Sequence, residues 1–204
     1  MLRMYLTLTL RLPYDIFVII FIPFLPAEPH FMNHLATIDH LKTDIGAIRV
    51  TASVQGVFQV DLLGKAYIPK TGLNVESPSL ALQNAVAALE QILDYLNGKR
   101  KFFDLPIDWE LVTSFQKSVL EITQFIPFGE ILTYGQIAAK LGKPKASQAV
   151  GGALGRNPMP IIIPCHRVVA ANGNLTGFSA AEGILTKQWL LELEGHKIVA
   201  QKLV

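Results

Sequence analysis

Apolar and polar positions alternate along one stretch of the chain and recur at helical spacing along others. Ile48, Val50 and Ala52 alternate with Arg49, Thr51 and Ser53, the period of a half-buried strand. Gln55-Gly56 is a turn signal, and Val57 to Leu63 is a second β-rich run. Ser77-Pro78 opens a helix in which Leu82, Ala85, Val86, Leu89, Ile92, Leu93 and Leu96 fall on one face, and Gly98 suits its C-terminal end. Residues 32–107 therefore read as a small α/β unit. The segment Asp104 to Trp109 reads as a linker. A further helix follows, with Phe115, Val119, Ile122 and Ile126 on one face and Phe128-Gly129 as its breaker.

The first 31 residues follow a different pattern. Arg3 and Arg11 precede an apolar run from Ile16 to Leu25 that Pro23 interrupts. The run is too short for a comfortable membrane span. Arg residues before it and Ala27 after it give it some likeness to a signal-peptide core, without a clean small-x-small cleavage site. The expectation is an apolar upstream extension, with Met32 as the true start. The domains expected are 1–31, 32–107 and 108–204.

Thr133 to Leu154 predicts two short helices. Thr133-x-x-Gln136 fits a capping box, Gly142 makes the turn, and Pro144 suits the first position of a second helix running to Leu154. Together they make a helix-turn-helix candidate. Gly151 and Gly152 each weaken that second helix by roughly 1 kcal/mol relative to alanine. Their retention points to the close approach of another backbone, of protein or of DNA.

Composition narrows the chemistry. Of 204 residues, 50% are apolar and 17% charged, enough apolar mass for a core, so a disordered chain is excluded. The net charge of +2 is unevenly placed. Residues 1–112 are slightly acidic, whereas residues 113–204 are basic and contain no aspartate. That asymmetry points to an anionic partner for the C-terminal half. One cysteine, Cys165, excludes an internal disulfide and a multi-cysteine zinc site. His30, His34 and His40 lie close together but lack cysteine or a helical pair pattern, so no metal site is expected.

Cys165 follows the apolar run Ile161-Ile162-Ile163, expected to be extended and buried, and precedes Val168 and Val169. A cysteine in such a setting is ordinarily core. Three features favour chemistry instead. Pro164 fixes the backbone before it. His166 and Arg167 follow it, and both can stabilise a thiolate. Asn157-Pro158 and Pro160 constrain the loop upstream. Only a few per cent of an ordinary cysteine, with pKa of about 8.5, is thiolate at neutral pH. A histidine that takes the proton raises that fraction, and a carboxylate that holds the histidine stabilises the imidazolium. Glu192 and Glu194 are the candidates for the carboxylate.

The stretch Asn157 to Val168 resembles the active-site signature of the O6-alkylguanine-DNA alkyltransferases, the methylated-DNA–protein-cysteine methyltransferases. Phe128-Gly129-Glu130 with Thr133-Tyr134-Gly135-Gln136 is similar to that family's entry to its helix-turn-helix. Leu175-Thr176-Gly177-Phe178-Ser179 is similar to its substrate loop, and Lys187-x-Trp189-Leu190-Leu191-x-x-Glu194-Gly195 to its closing helix. The resemblance covers residues 112–195 strongly and 33–107 loosely.

The resemblance implies a ribonuclease-H-like α/β N-terminal domain. It also implies a mainly α C-terminal domain with a winged-helix-like helix-turn-helix. It implies DNA repair by one irreversible transfer of an alkyl group from O6-alkylguanine, and less efficiently O4-alkylthymine, to Cys165. The partner is double-stranded DNA, bound in the minor groove with the base flipped out. No cofactor, metal or membrane is implied, and the chain is expected to be a cytoplasmic monomer. By position, Cys165 is the acceptor, His166 the group that deprotonates it through a water, and Glu194 the carboxylate. Asn157 braces the loop, and Tyr134 assists flipping and protonation of the leaving guanine. Phe178, Ser179 and Lys187 fall near the base. Tyr134, Gln136, Ala146, Ser147, Gln148, Gly151 and Arg156 face DNA, and Arg167 ties the loop down. One position departs from the family pattern. The second helix ordinarily carries an arginine that replaces the flipped base, and here it is Gln148, shorter and neutral. The alternative is a module that recognises alkylated DNA with weak or no transfer.

Overall fold

A computed structural model describes residues 5–12, 16–23, 35–66, 79–110 and 112–204. The chain divides into two compact units. One comprises residues 1–91 and 104–108; the other comprises 92–103 and 109–204.

In the first unit, strands β1 (Tyr5–Leu12) and β2 (Ile16–Pro23) pair antiparallel, from Tyr5 opposite Pro23 to Leu12 opposite Ile16. The apolar run that begins at Ile16 is thus a strand with a partner. Strands β3 (Ala36–Thr43), β4 (Gly46–Ala52) and β5 (Val57–Gly64) form an antiparallel meander. The alternation around Ile48 forms β4 as its period predicts. Strand β3 carries no such signal, because its polar residues obscure the alternation of Ala36 and Ile38. Its register is held by a cross-strand ion pair, in which Arg49 Nε and Nη2 donate to the Asp39 carboxylate at 2.8 and 2.9 Å. Ile38, Ile48 and Val50 are fully buried, as are Ala85 and Leu89 of helix α1 (Leu80–Leu96). Each large apolar side chain removed from water contributes roughly 1.5–3 kcal/mol. Ser79 caps α1 through its hydroxyl, which accepts from Leu82 N–H; Ser77 and Pro78 lie outside the described residues.

The segment that reads as a linker is docked rather than loose. Val57 N–H donates to the Pro106 carbonyl, and Asp108 N–H donates to that of Val57. Ser53 Oγ donates to the buried Asp108 carboxylate. Its prolyl sequence forbids a regular ladder, yet the remaining donors still find β5.

The second unit takes the last turn of α1 and is mainly helical. Helix α2 (Ser114–Gln124) is capped by Thr113, whose side chain accepts from Gln116 N–H, and it ends before the Phe128-Gly129 breaker. Strand β6 (Leu132–Thr133) leads into α3 (Tyr134–Lys140), and α4 (Ser147–Leu154) follows. The Thr133–Gln136 capping box forms on both sides. Helix α4 begins at Ser147, later than Pro144 suggested, because Lys143 to Ala146 close a turn first (Ala146 N–H to Lys143 O, 2.8 Å). Gln116 Nε2 donates to the carbonyls of Ala153 and Arg156, satisfying acceptors at the end of α4. Strand β7 (Val168–Val169) pairs parallel with β6. Helix α5 (Ile184–Leu193) and the short antiparallel pair β8 (Ile198–Val199) and β9 (Lys202–Leu203) complete the unit. Leu191, Leu175 and Val169 form a buried cluster against Ile184, Ile198 and Leu203. Among the described residues no helix is long and apolar enough to cross a membrane.

Candidate active site

The loop from Asn157 to Pro164 delivers Cys165 to the start of a single 3-10 turn, Cys165–Arg167. Ile161, Ile162 and Ile163 are buried as expected, but they are not extended. Ile163 N–H donates back to the Met159 carbonyl at 2.9 Å, and Ile161 has φ +74°. A β-branched residue in that region is strained by roughly 1–3 kcal/mol. Asn157 braces the loop by accepting from Met159 N–H at 3.0 Å and donating to the Ile163 carbonyl at 2.9 Å.

Cys165 is half-buried. Burial pushes its thiol up, while the Asn157 amide and the positive charge of Lys187 act to pull it down. His166 is fully buried, and its Nε2 lies 3.0 Å from Glu194 Oε1. Its Nδ1 is buried without a hydrogen-bond partner among the described residues. Burial lowers the pKa of His166, against the opposing pull of Glu194. Facing an ionised carboxylate, Nε2 carries the ring proton, and Nδ1 is left as the acceptor.

Glu194 sits at the end of α5 and is 6% exposed. Arg167 grips it with Nη2 at 2.8 Å and Nε at 3.0 Å, and sends Nη1 to the Ile126 carbonyl. Gly129 N–H adds a bond to Oε2 at 3.2 Å. Gly129 has φ +77°, a conformation that turns the chain after α2 and suits glycine. Burial alone would raise the Glu194 pKa, but His166 and Arg167 outweigh it and hold the carboxyl well below the usual range. Glu192, by contrast, is exposed and takes a bond from Gln188.

The other side of the site is built from α3, α5 and the loop between β7 and α5. Lys187 is 1% exposed; its Nζ donates to the carbonyls of Val168 at 2.6 Å and Thr176 at 2.8 Å. Burial lowers its pKa to about 8. Tyr134 Oη donates to the same Thr176 carbonyl at 3.0 Å. Phe178, two residues after Thr176, is buried, and Ser179 is exposed.

Of the remaining sequence candidates, Gln148 is exposed on α4, and Arg156 is exposed just beyond it. Ala146 and Ser147 lie half-buried at the start of α4. Gln136 is exposed, with its carboxamide oxygen committed to Thr133 N–H. Gly151 is half-buried, and a β-carbon there or at Gly152 would come no nearer than 3.8 Å to a neighbouring side chain. His40 Nε2 meets the Lys42 carbonyl; His30 and His34 lie outside the described residues. Among the described residues no group of three or more His, Cys, Asp or Glu is placed to hold a metal ion.

Two contributors were not singled out from the sequence. Gly129 reads as a helix breaker, and nothing local shows that its amide meets a carboxylate 65 residues on. Tyr95 continues the apolar stripe of α1, three residues after Ile92, and passes as core. Its hydroxyl donates to Glu194 Oε1 at 2.6 Å and lies 3.2 Å from His166 Nε2.

These features define an α/β protein in which a helix–turn–helix pair shares one compact unit with a half-buried cysteine followed by a buried histidine–carboxylate pair. The family profile described as the DNA-binding domain of 6-O-methylguanine DNA methyltransferase matches residues 114–196. A methylated-DNA–protein-cysteine methyltransferase of Methanosarcina acetivorans is 43% identical over 155 residues, covering 76% of this chain and 95% of that protein. The human protein of the same name is 35% identical over 168 residues, covering 78% of this chain and 80% of its own length. The crystal structure of Mycobacterium tuberculosis OGT in complex with DNA superposes with a TM-score of 0.63 at 35% identity, covering 79% and 92% of the two chains. This chain belongs to the methylated-DNA–protein-cysteine methyltransferase family.

Proposed function

We propose that this protein repairs duplex DNA by accepting the alkyl group of O6-alkylguanine on Cys165, once per molecule. The observation that carries the reading is the pairing of a half-buried thiol with a buried histidine. That histidine's Nε2 is held by Glu194, and its Nδ1 has no other partner among the described residues. The thiol proton passes to His166 Nδ1 through a water molecule. The thiolate attacks the alkyl carbon, the S–C bond forms as the C–O6 bond breaks, and the electron pair leaves with guanine. Guanine then takes up a proton, with Tyr134 assisting. A thioether is not reversed by ordinary reduction, so the protein is consumed. Lys187 holds a positive charge toward the sulfur, and Asn157 keeps the loop in shape.

The reading places a winged-helix-like unit, with α3 and α4, against the minor groove. The N-terminal unit is read as ribonuclease-H-like. The space around Gly151 and Gly152 supports an outside partner. Neither glycine is demanded by packing within the protein, since alanine fits at both. Gln136, Ala146, Ser147, Gln148 and Arg156 accompany them, and Phe178 and Ser179 flank the base.

The test is intact-protein mass after incubation with duplex DNA holding one O6-methylguanine, followed by peptide mapping. The expected result is a gain of one methylene on Cys165 that saturates at one equivalent. Lesion-specific binding with no mass change would replace this reading with a damage-recognition module.

A further inference from the structure

Tyr95 carries no charge and sits in the last turn of α1, yet its hydroxyl enters the group that handles the proton. Its side chain is fully buried among Phe103, Phe128 and His166, with ring centroids 5.6, 6.1 and 6.4 Å away. A buried hydroxyl must find a partner or forfeit its hydration. This one finds the oxygen of Glu194 that also receives His166. Packing alone would be served by phenylalanine at this position.

We propose that Tyr95 is a positioning residue. By donating to Glu194 Oε1, it fixes the carboxylate against His166 Nε2 and tempers the basicity of the histidine that takes the thiol proton. This inference rests on the proposed role of His166.

The physical argument concerns how many donors share one carboxylate. Burial and the Glu194 charge push the Tyr95 phenol far up, so it stays protonated and donates. Each donor disperses the carboxylate charge and weakens its hold on an imidazolium. The groups that face His166 are Glu194, which favours the charged ring, and Arg167 and Lys187, which oppose it along with burial. Arg167 grips Glu194 through Nε and Nη2. Tyr95 supplies a further donor on the oxygen that His166 uses. Without it, Glu194 would be a stronger acceptor, and His166 would remain protonated to a higher pH.

The test compares the full-length wild type, Tyr95→Phe, and a protein with 3-fluorotyrosine at position 95. The ring fluorine makes the phenol a stronger donor with little change of shape, so this protein keeps the test open should Tyr95→Phe fold poorly. Single-turnover methyl transfer from duplex DNA with one O6-methylguanine is followed across the acidic limb of its pH profile. The midpoint should rise by roughly half a pH unit in Tyr95→Phe and fall in the fluorotyrosine protein, with duplex affinity unchanged. Coincident midpoints in all three would overturn the proposal, whatever their stabilities. Should the wild type transfer no methyl group, the proposed function fails. The His166 titration, followed by NMR on histidine-labelled protein, then decides Tyr95 by the same displacement or its absence.

Discussion

The hydroxyl of Tyr134 stands 2.7 Å from the point a β-carbon on Gly177 would occupy. Gly177 also has φ +69°, where an ordinary L residue is strained by roughly 1–2 kcal/mol. Tyr134 Oη is tied to the neighbouring Thr176 carbonyl, which Lys187 shares. A Gly177→Ala change therefore displaces Tyr134 as well as straining the loop. The melting temperature should fall by a few degrees, and single-turnover transfer should slow by much more than that loss of folded protein explains. Calorimetry and transfer kinetics on the same sample check this, and an unchanged rate would remove Tyr134 from the site.

Lys187 offers a test that needs no DNA. Its charge faces Cys165, and its pKa is held near 8 rather than 10.5. Support for the thiolate should fade as pH rises through about 8 and the ammonium loses its proton. In Lys187→Met the charge is absent throughout. Reaction of Cys165 with a small electrophile such as iodoacetamide should then slow by roughly tenfold at neutral pH, the equivalent of one unit in thiol pKa. A pH profile that superposes on the wild type would rule the charge out as the cause.

Acid stability follows from the buried pair. His166 titrates lower when folded than an ordinary histidine at about 6.5. The unfolded chain therefore binds that proton first, and stability declines as pH falls below about 6.5. Glu194 is also held low. Its contribution is complete above the unfolded value of about 4.3 and is lost as pH falls below it, toward the folded value. Glu194→Gln leaves Arg167 buried without its carboxylate, at a cost of about 3–5 kcal/mol near neutrality. Urea midpoints should show that gap closing as pH is lowered. A gap constant with pH would mean that the carboxylate's charge plays no part.

Gln148 lies exposed on α4, where the resemblance places an arginine. Flipping a base costs a few kcal/mol, and a neutral side chain recovers less of it. Gln148→Arg should raise the single-turnover repair rate and steepen the salt dependence of duplex binding by about one counterion. Equal rates in the two proteins would show that this position does not limit flipping.

Much of this protein was legible because the signals are local. The Thr133–Gln136 capping box spans three residues, and it forms as its sequence predicts. Strand β4 and the buried face of α1 follow from periodicity within one element. The sequence neighbours of Cys165 marked it for chemistry, through a proline before it and a histidine and arginine after it.

Elsewhere local pattern was silent or misleading. Three consecutive isoleucines read as a strand. They instead fold back, because Asn157 and the prolines impose a tight loop that burial of Ile161, Ile162 and Ile163 then stabilises. Asp104 to Asp108 has the composition of a linker, yet β5 offers it donors and acceptors that its own sequence cannot reveal.

The sequence by itself marked Cys165 as the candidate nucleophile and gave its histidine neighbour and the helix pair, since each depends on residues a few positions apart. Spacing alone left Glu192 and Glu194 open, and only the family resemblance separated them. The tertiary structure decided how the buried group around Glu194 is assembled. Tyr95, Gly129, Arg167 and His166 converge on Glu194 from one helix and two turns. A buried carboxylate must gather donors from wherever the packed chain brings them, and separation along the sequence carries no information about that distance.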